Sequence, residues 1–284
     1  MENISENKLL SVISDNLSIS NSHSIQPNIL IRTPLFVPIA RNSNKETSTL
    51  TKHDVSSEFR GISLYQREGY EYASIKGEKL NVRTDFRVWC GVIFAFSKYG
   101  YNTDCITMKL SEFTKFCGFS TQMLNAAFRK RIQESLERIQ SQTVSMSTRD
   151  GKKATATSLL KKFIYDTDRD EILLEGDPEL WELYRIDRQI LISMKTLSKI
   201  PRAETAQCLY LFLASLPNDP IPVTMSRIRE RLSLNMSNKE ANRSIKNAIK
   251  TLEKIGYLEG KETEWNGEWA YQITDRNRAL TSEV

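Results

Sequence analysis

Apolar residues in this 284-residue chain recur at helical spacing in several stretches, most regularly near the C-terminus. From Asn238 to Lys254 they fall at Ala241, Ile245, Ala248, Ile249 and Leu252, with Ile255 just beyond. That keeps one stripe on a helix of 3.6 residues per turn. At about 100° per residue, Lys239, Arg243, Lys246 and Lys250 take the opposite face. Ser237 or Asn238 can cap the start, and Gly256 ends the helix. Ahead of it, Pro222-Val223-Thr224 leads into a short helix, Met225–Leu232, with Ile228 and Leu232 inward and Arg227, Arg229 and Arg231 around it. Behind it, strands are predicted at Tyr257–Glu259 and Glu268–Ile273, joined by a polar loop holding Asn266-Gly267. A strong helix over Pro201–Leu216 precedes the set, with Ala206, Leu209, Tyr210 and Leu213 on one side.

The first half of the chain reads similarly. A long apolar helix is predicted from Thr84 to Tyr99, with Phe86, Trp89, Val92, Ile93 and Phe96 inward and Gly100 as its stop. A short strand, Ile106–Leu110, and a helix capped by Ser111 (Glu112–Cys117) come next. One further helix runs from Ser120 towards Gln140 on a stripe of Leu124, Phe128, Ile132, Leu136 and Ile139. Strand-like Thr143–Ser147, a basic turn from Thr148 to Ala154, then Thr157–Tyr165 and Glu171–Leu174 complete this half. Upstream, Ile25–Pro38 holds three prolines among β-formers and reads as an extended edge segment. Ala40–His53 reads as a polar linker, Ser57–Gly69 has helical spacing, and strands follow near Tyr70–Lys76 and Lys79–Val82. Asp177-Pro178 opens a helix through Tyr184, and Gln189–Ser193 is extended.

Helix, strand, helix, turn, helix, hairpin is the order of a winged helix-turn-helix, whose second paired helix enters the DNA major groove. The order occurs twice. The expected fold is therefore α+β and helix-rich, with two tandem winged helix-turn-helix domains related by internal duplication. The boundaries are residues 1–24 as a disordered or frayed segment, 25–175 as the first domain and 176–284 as the second.

Charge changes the picture through its distribution, because the net value is only +5. From Pro222 to Gly256 there are eight Lys/Arg against three acidic residues, and from Ser120 to Lys162 nine against three. Between them, Phe163–Asp187 carries nine Asp/Glu against two Arg. Two basic blocks parted by an acidic connector suggest two phosphate-facing surfaces. The four cysteines have no paired spacing and read as free thiols in a reducing cytoplasm. No apolar run approaches the length of a membrane span.

Catalytic chemistry finds little support, and no catalytic residue, cofactor or metal is expected. His23 and His53, the two histidines, lie in polar sequence outside any ligand pattern. Gly256–Lys261 falls one residue short of a phosphate loop and runs into a strand. Asp166, Asp168, Asp170 and Glu171 lack the glycine and distal glutamate of a calcium loop, so a solvated turn is expected.

Longer signatures point to a family. Ile25-Gln-Pro with Phe36-Val-Pro38, Thr84-Asp-Phe86 with Trp89, Phe94–Gly100 and Glu112–Gly118 resemble the RepA initiators of low-copy plasmids and plasmid-prophages. So do Trp181-Glu-Leu183, Ser215-Leu-Pro217, Arg227–Leu232, Asn242-Arg243 and Ile255–Leu258, in collinear order over about Ile25–Ile273. The resemblance implies a cytoplasmic initiator that binds direct-repeat iterons of double-stranded origin DNA as a monomer and represses its own promoter. It further implies a homodimer in equilibrium with that monomer, formed through the N-terminal domain. DnaK/DnaJ-type chaperones, host DnaA and a replicative helicase are the implied partners. A transcriptional regulator without a replicative role shares every DNA-binding feature and is the rival reading.

Arg243 is the first candidate for bidentate contact with guanine, and Asn242 for pairing with adenine. Lys239, Lys246 and Lys250 are candidate phosphate contacts, with Arg227, Arg229 and Arg231 clamping the backbone from the preceding helix. In the N-terminal domain the candidates are Gln122, Asn125, Arg129 and Lys130 on the helix, and Arg149, Lys152 and Lys153 on the wing.

Overall fold

The computed structural model describes residues 23–39, 50–56, 69–100, 105–187, 189–200, 203–234 and 236–277. In chain order these form β1 (His23–Pro27), α1 (Asn28–Arg32), β2 (Phe36–Val37), β3 (Leu50–Asp54), β4 (Tyr72–Glu78), β5 (Leu80–Asn81) and α2 (Asp85–Tyr99). Next come β6 (Cys105–Lys109), α3 (Leu110–Phe116), a 3₁₀ turn (Thr121–Met123), α4 (Ala126–Gln140), β7 (Thr143–Ser147), β8 (Ala154–Ser158), β9 (Lys162–Asp166) and β10 (Glu171–Glu175). The chain continues through α5 (Pro178–Ile186), β11 (Gln189–Ser193), α6 (Met194–Lys199), α7 (Glu204–Ala214), β12 (Val223–Thr224), α8 (Met225–Leu232), α9 (Asn238–Lys254), β13 (Leu258–Trp265) and β14 (Glu268–Arg276).

The predicted inward stripes of α2 and α9 are buried as expected, and α8 and α9 have the expected bounds. Two three-stranded antiparallel sheets repeat one order. In β6-β10-β9 and in β12-β14-β13, the short strand before the helix pair joins the last strand of the hairpin after it. Separately, β3-β4-β7-β8 make a four-stranded antiparallel sheet. The hairpin β7–β8, expected to be the first wing, therefore belongs to another sheet, and β9–β10 holds the wing position.

Several local expectations give way to tertiary contacts. Ile25–Pro38 is not extended throughout, because α1 interrupts it. Its residues Ile29, Leu30 and Ile31 are buried, and the Asp187 carboxylate accepts the Ile29 N–H at 2.7 Å, capping the helix from a distant part of the chain. Leu50–His53, expected in a linker, is strand β3 paired with β4. Both histidines also lie in strands, His23 in β1 and His53 in β3. The α3 helix starts at Leu110, so Ser111 is inside it rather than capping it. The predicted Ser120–Gln140 helix splits, because the Asn125 side chain accepts the Phe128 N–H at 2.9 Å and starts a new helix. Met194–Lys199 is a helix that periodicity alone did not suggest. The expectations for residues 1–22, 40–49 and 57–68 fall outside the described residues.

The N-terminal strap spans the boundary expected at 175/176. β1 pairs antiparallel with β11, and β2 pairs in parallel with β5. Inside the strap the Gln26 amide is wholly buried and accepts from Trp89 Nε1 at 2.9 Å and from Tyr184 Oη at 3.0 Å. Arg231, 4% exposed, donates Nε to the Ile31 carbonyl at 2.9 Å, and its Nη2 reaches the same oxygen. The Glu204 carboxylate accepts from the Ile39 N–H and from Asn81 Nδ2, each at 2.8 Å. In the first half, buried Asp85 receives Ser135 Oγ at 2.6 Å and Arg138 Nη2 at 2.7 Å, joining α2 to α4.

Two measurements follow from these placements. Cys90, Cys117 and Cys208 are buried and Cys105 is exposed. Burial pushes the Cys90 thiol up to about 12 and raises Cys117 and Cys208 as well. A thiol alkylating reagent should thus label the native protein at Cys105 alone, read by peptide mass spectrometry. Arg231→Met leaves the strap carbonyls without their donor and should cost about 1–3 kcal/mol in urea unfolding.

Candidate nucleic-acid interface

The surface centred on α9 is built from its caps inward. Ser237 and Glu240 form a reciprocal capping box, which satisfies N–H groups at a helix start. At the other end Tyr257 N–H donates to the Leu252 carbonyl at 3.0 Å and Gly256 N–H to the Glu253 carbonyl at 2.9 Å. Gly256 adopts φ +73°, where a residue without Cβ carries no steric penalty. Ala241, Ile245, Ala248, Ile249 and Leu252 pack inward, so the opposite face is free to meet a partner. Ser244 Oγ donates to Thr205 Oγ1 at 3.1 Å, tying α9 to α7.

On that opposite face Lys239, Arg243, Asn247 and Lys250 are exposed. Asn247, one helical turn after Arg243, joins the candidate residues on this face. Asn242 lies at the edge of the face and accepts from Arg229 Nη1 at 2.6 Å. Arg229 also stands 3.9 Å from Glu268, which receives the N–H and Oγ of Ser226 at the start of α8. Lys246 is tied down as well, at 3.2 Å from Glu262 and 4.7 Å from the centre of the Trp269 ring. The Trp269 indole, donating at 2.8 Å, and Lys246 hold the Glu262 carboxyl below the usual range. Arg227 is half-buried, with its guanidinium 5.7 Å from the Phe212 ring. Arg231 leaves the candidate surface altogether, because its guanidinium is buried on the N-terminal strap.

The second hairpin is longer than expected, with β13 running to Trp265. Asn266 (φ +54°) and Gly267 (φ +76°) make the two-residue turn, the left-handed pair that suits a twisted hairpin. Apolar helix, short strand, helix pair and hairpin form a winged helix.

In the first half, Gln122 is exposed in the 3₁₀ turn and Asn125 caps α4. Lys130 is exposed, 3.9 Å from Glu134, whereas Arg129 is ion-paired with Asp170. The wing tip there is acidic: the Asp166 carboxylate accepts the N–H groups of Asp168 and Arg169 at 2.9 Å each, and Glu171 pairs with Lys109 at 3.0 Å. Arg149, Lys152 and Lys153 lie on the turn of β7–β8, which belongs to a different sheet from that wing. Lys152 is 3.6 Å from Asp150, and Lys153 is 5.4 Å from the Tyr70 ring centre.

Comparison with known proteins agrees with this architecture. The family profile described as "Initiator Replication protein, WH1" matches residues 74–214. Replication protein RepA of Escherichia coli is 39% identical over 244 residues, 86% of this chain and 84% of its own length. Protein RepA of Escherichia coli is 41% identical with the same coverage. RepFIB replication protein A of Escherichia coli (strain K12) is 35% identical over 249 residues, 87% of this chain and 77% of its own. Domains 2 and 3 of RctB share the fold, with a TM-score of 0.56 at 13% identity over 87% of this chain and 97% of that one. The architecture is that of a winged-helix replication protein. This chain belongs to the RepA family of plasmid replication initiators.

Removing the α9 cap tests how far the exposed face depends on its helix. Ser237→Ala should lower stability by about 1 kcal/mol in denaturant titration, and an unchanged midpoint would deny the capping box its role.

Proposed function

We propose that the chain is a sequence-specific DNA-binding initiator that engages direct-repeat origin iterons as a monomer and represses its own promoter. One observation carries the reading: α9, buried along one side, exposes Lys239, Arg243, Asn247 and Lys250 on the other, within a helix pair followed by a hairpin. In this reading Arg243 contacts guanine, while Lys239 and Lys250 hold phosphates. Lys246 and Arg227 play a secondary part. The protein acts in the cytoplasm without catalysing a reaction.

The reading divides the chain into a first winged-helix domain at 25–175 and a second at 176–284, derived from one ancestral unit. The recurrent strand order, β6-β10-β9 and β12-β14-β13, supports that descent. Gln122, Asn125 and Lys130 are the proposed contacts of the first domain. Arg129 would have to leave Asp170 to join them. The outer face of the four-stranded sheet, with small Ser74, Ser145 and Ala156 beside exposed Tyr72, supports a homodimer in equilibrium with the active monomer. DnaK/DnaJ-type chaperones would shift that equilibrium, and DnaA and a replicative helicase would act after origin binding.

Footprinting of the purified chain on DNA flanking its own gene, with and without chaperones, tests the whole scheme. Protection of regularly spaced direct repeats, increased by chaperones, is expected. Protection of one inverted repeat alone would reduce the protein to a promoter repressor. On the protected site, Arg243→Ala should cost about 1–3 kcal/mol and far less on random duplex, whereas Lys250→Ala should weaken both and lower the salt slope by about 1.

A further inference from the structure

The pairing of Arg229 with Asn242 bears on which base the recognition helix reads. A guanidinium has donors and no acceptor, so the Asn242 atom that faces it at 2.6 Å is Oδ1. The amide is thereby turned with Nδ2 away from Arg229, and Nδ2 makes no hydrogen bond among the described residues. Arg229 is itself held in place: Glu268 stands 3.9 Å from its Nη2 and is anchored at 2.6 Å by Ser226 Oγ. The orientation of one amide on α9 thus depends on a carboxylate from β14 and an arginine from α8.

Pairing with adenine in the major groove needs an asparagine that donates to N7 and accepts from the N6 amino group. Here the accepting oxygen already faces a cation, and a second donor brought to it would meet the positive guanidinium. Nδ2 therefore offers donors at this spot, while the second lone pair of Oδ1 lies beside a cation that disfavours a further amino group. Guanine, with acceptors at both N7 and O6, complements those donors. Building on the DNA-binding function proposed above, we propose that Arg229 is a positioning residue that sets Asn242 to read guanine and to reject adenine.

The test uses the full chain and a fluorescent duplex of the footprinted site, with each base pair replaced in turn and affinity read by anisotropy. The position served by Asn242 is the one whose preference Asn242→Ala abolishes. Wild type should favour guanine over adenine there by about tenfold. Arg229→Met frees Oδ1 and should bring adenine to within about threefold of guanine, while Arg229→Lys, still donor only, should keep the wild-type ratio. Circular dichroism checks the folding of each variant. If Arg229→Met does not fold, the wild-type preference and Arg229→Lys decide. A preference for another base, no position that responds to Asn242→Ala, or a folded Arg229→Met with the wild-type ratio would each overturn the proposal. A chain that protects no specific DNA would instead sink the DNA-binding reading beneath it.

Discussion

A helix that is apolar nearly all round has to be covered nearly all round, and α7 is such a helix. Gln207 is its one polar residue between Ala206 and Leu213, apart from the Tyr210 hydroxyl. Residues 206–213 are all buried, including Tyr210 and Phe212. The cover comes from α8 and α9 on the downstream side and from α1, β2 and β11 on the other. The carbonyls at and just past its C-terminus are met by Arg276 from β14, which donates to Leu213 at 2.5 Å and to Leu216 at 3.2 Å. Its N-terminal Glu204 receives Ile39 and Asn81. One buried helix therefore sets where the exposed face of α9 stands relative to the first half of the chain. The family match running to residue 214, past the expected boundary at 175, fits this shared position.

The charged groups divide by the work their surroundings allow. Arg231 and Asp85 are buried, where an unpaired charge would be costly, and each is satisfied by several partners. Lys246, Arg229 and Arg129 are half-exposed and bound to wing carboxylates or their neighbours. Half of the basic block (Lys239, Arg243, Lys250 and Lys254) stays exposed, all of it on α9. Both wings are acidic, through Asp166, Asp168 and Asp170 in one and Glu262, Glu264 and Glu268 in the other. Like charge keeps wing tips from sitting close to phosphate, so in the proposed complex readout concentrates on the helices.

Much of this was legible from periodicity. The stripe through Ala241 and Leu252 placed α9 and its outward residues, because a 3.6-residue repeat translates directly into a face. The stripe through Phe86 and Phe96 placed α2 in the same way. Arg231 shares a basic helix with Arg227 and Arg229, and nothing local says that a strap about 200 residues upstream lies over it. The Ile-Leu-Ile run of α1 favours strand, while the carboxylate that meets its Ile29 N–H comes from distant Asp187.

The sequence alone determined the long helices, the helix pair, the presence of hairpins and the basic face, all of which depend on neighbours within a few residues. Tertiary structure alone decided which hairpin is the wing, since β6 can pair with β10 or with another strand only according to packing. It also decided which charges remain available, because β14 brings Glu268 to Arg229, β13 brings Glu262 to Lys246, and the first wing brings Asp170 to Arg129. Hydrophobic spacing is written along the chain. The partner of a given arginine is set by where distant segments come to rest.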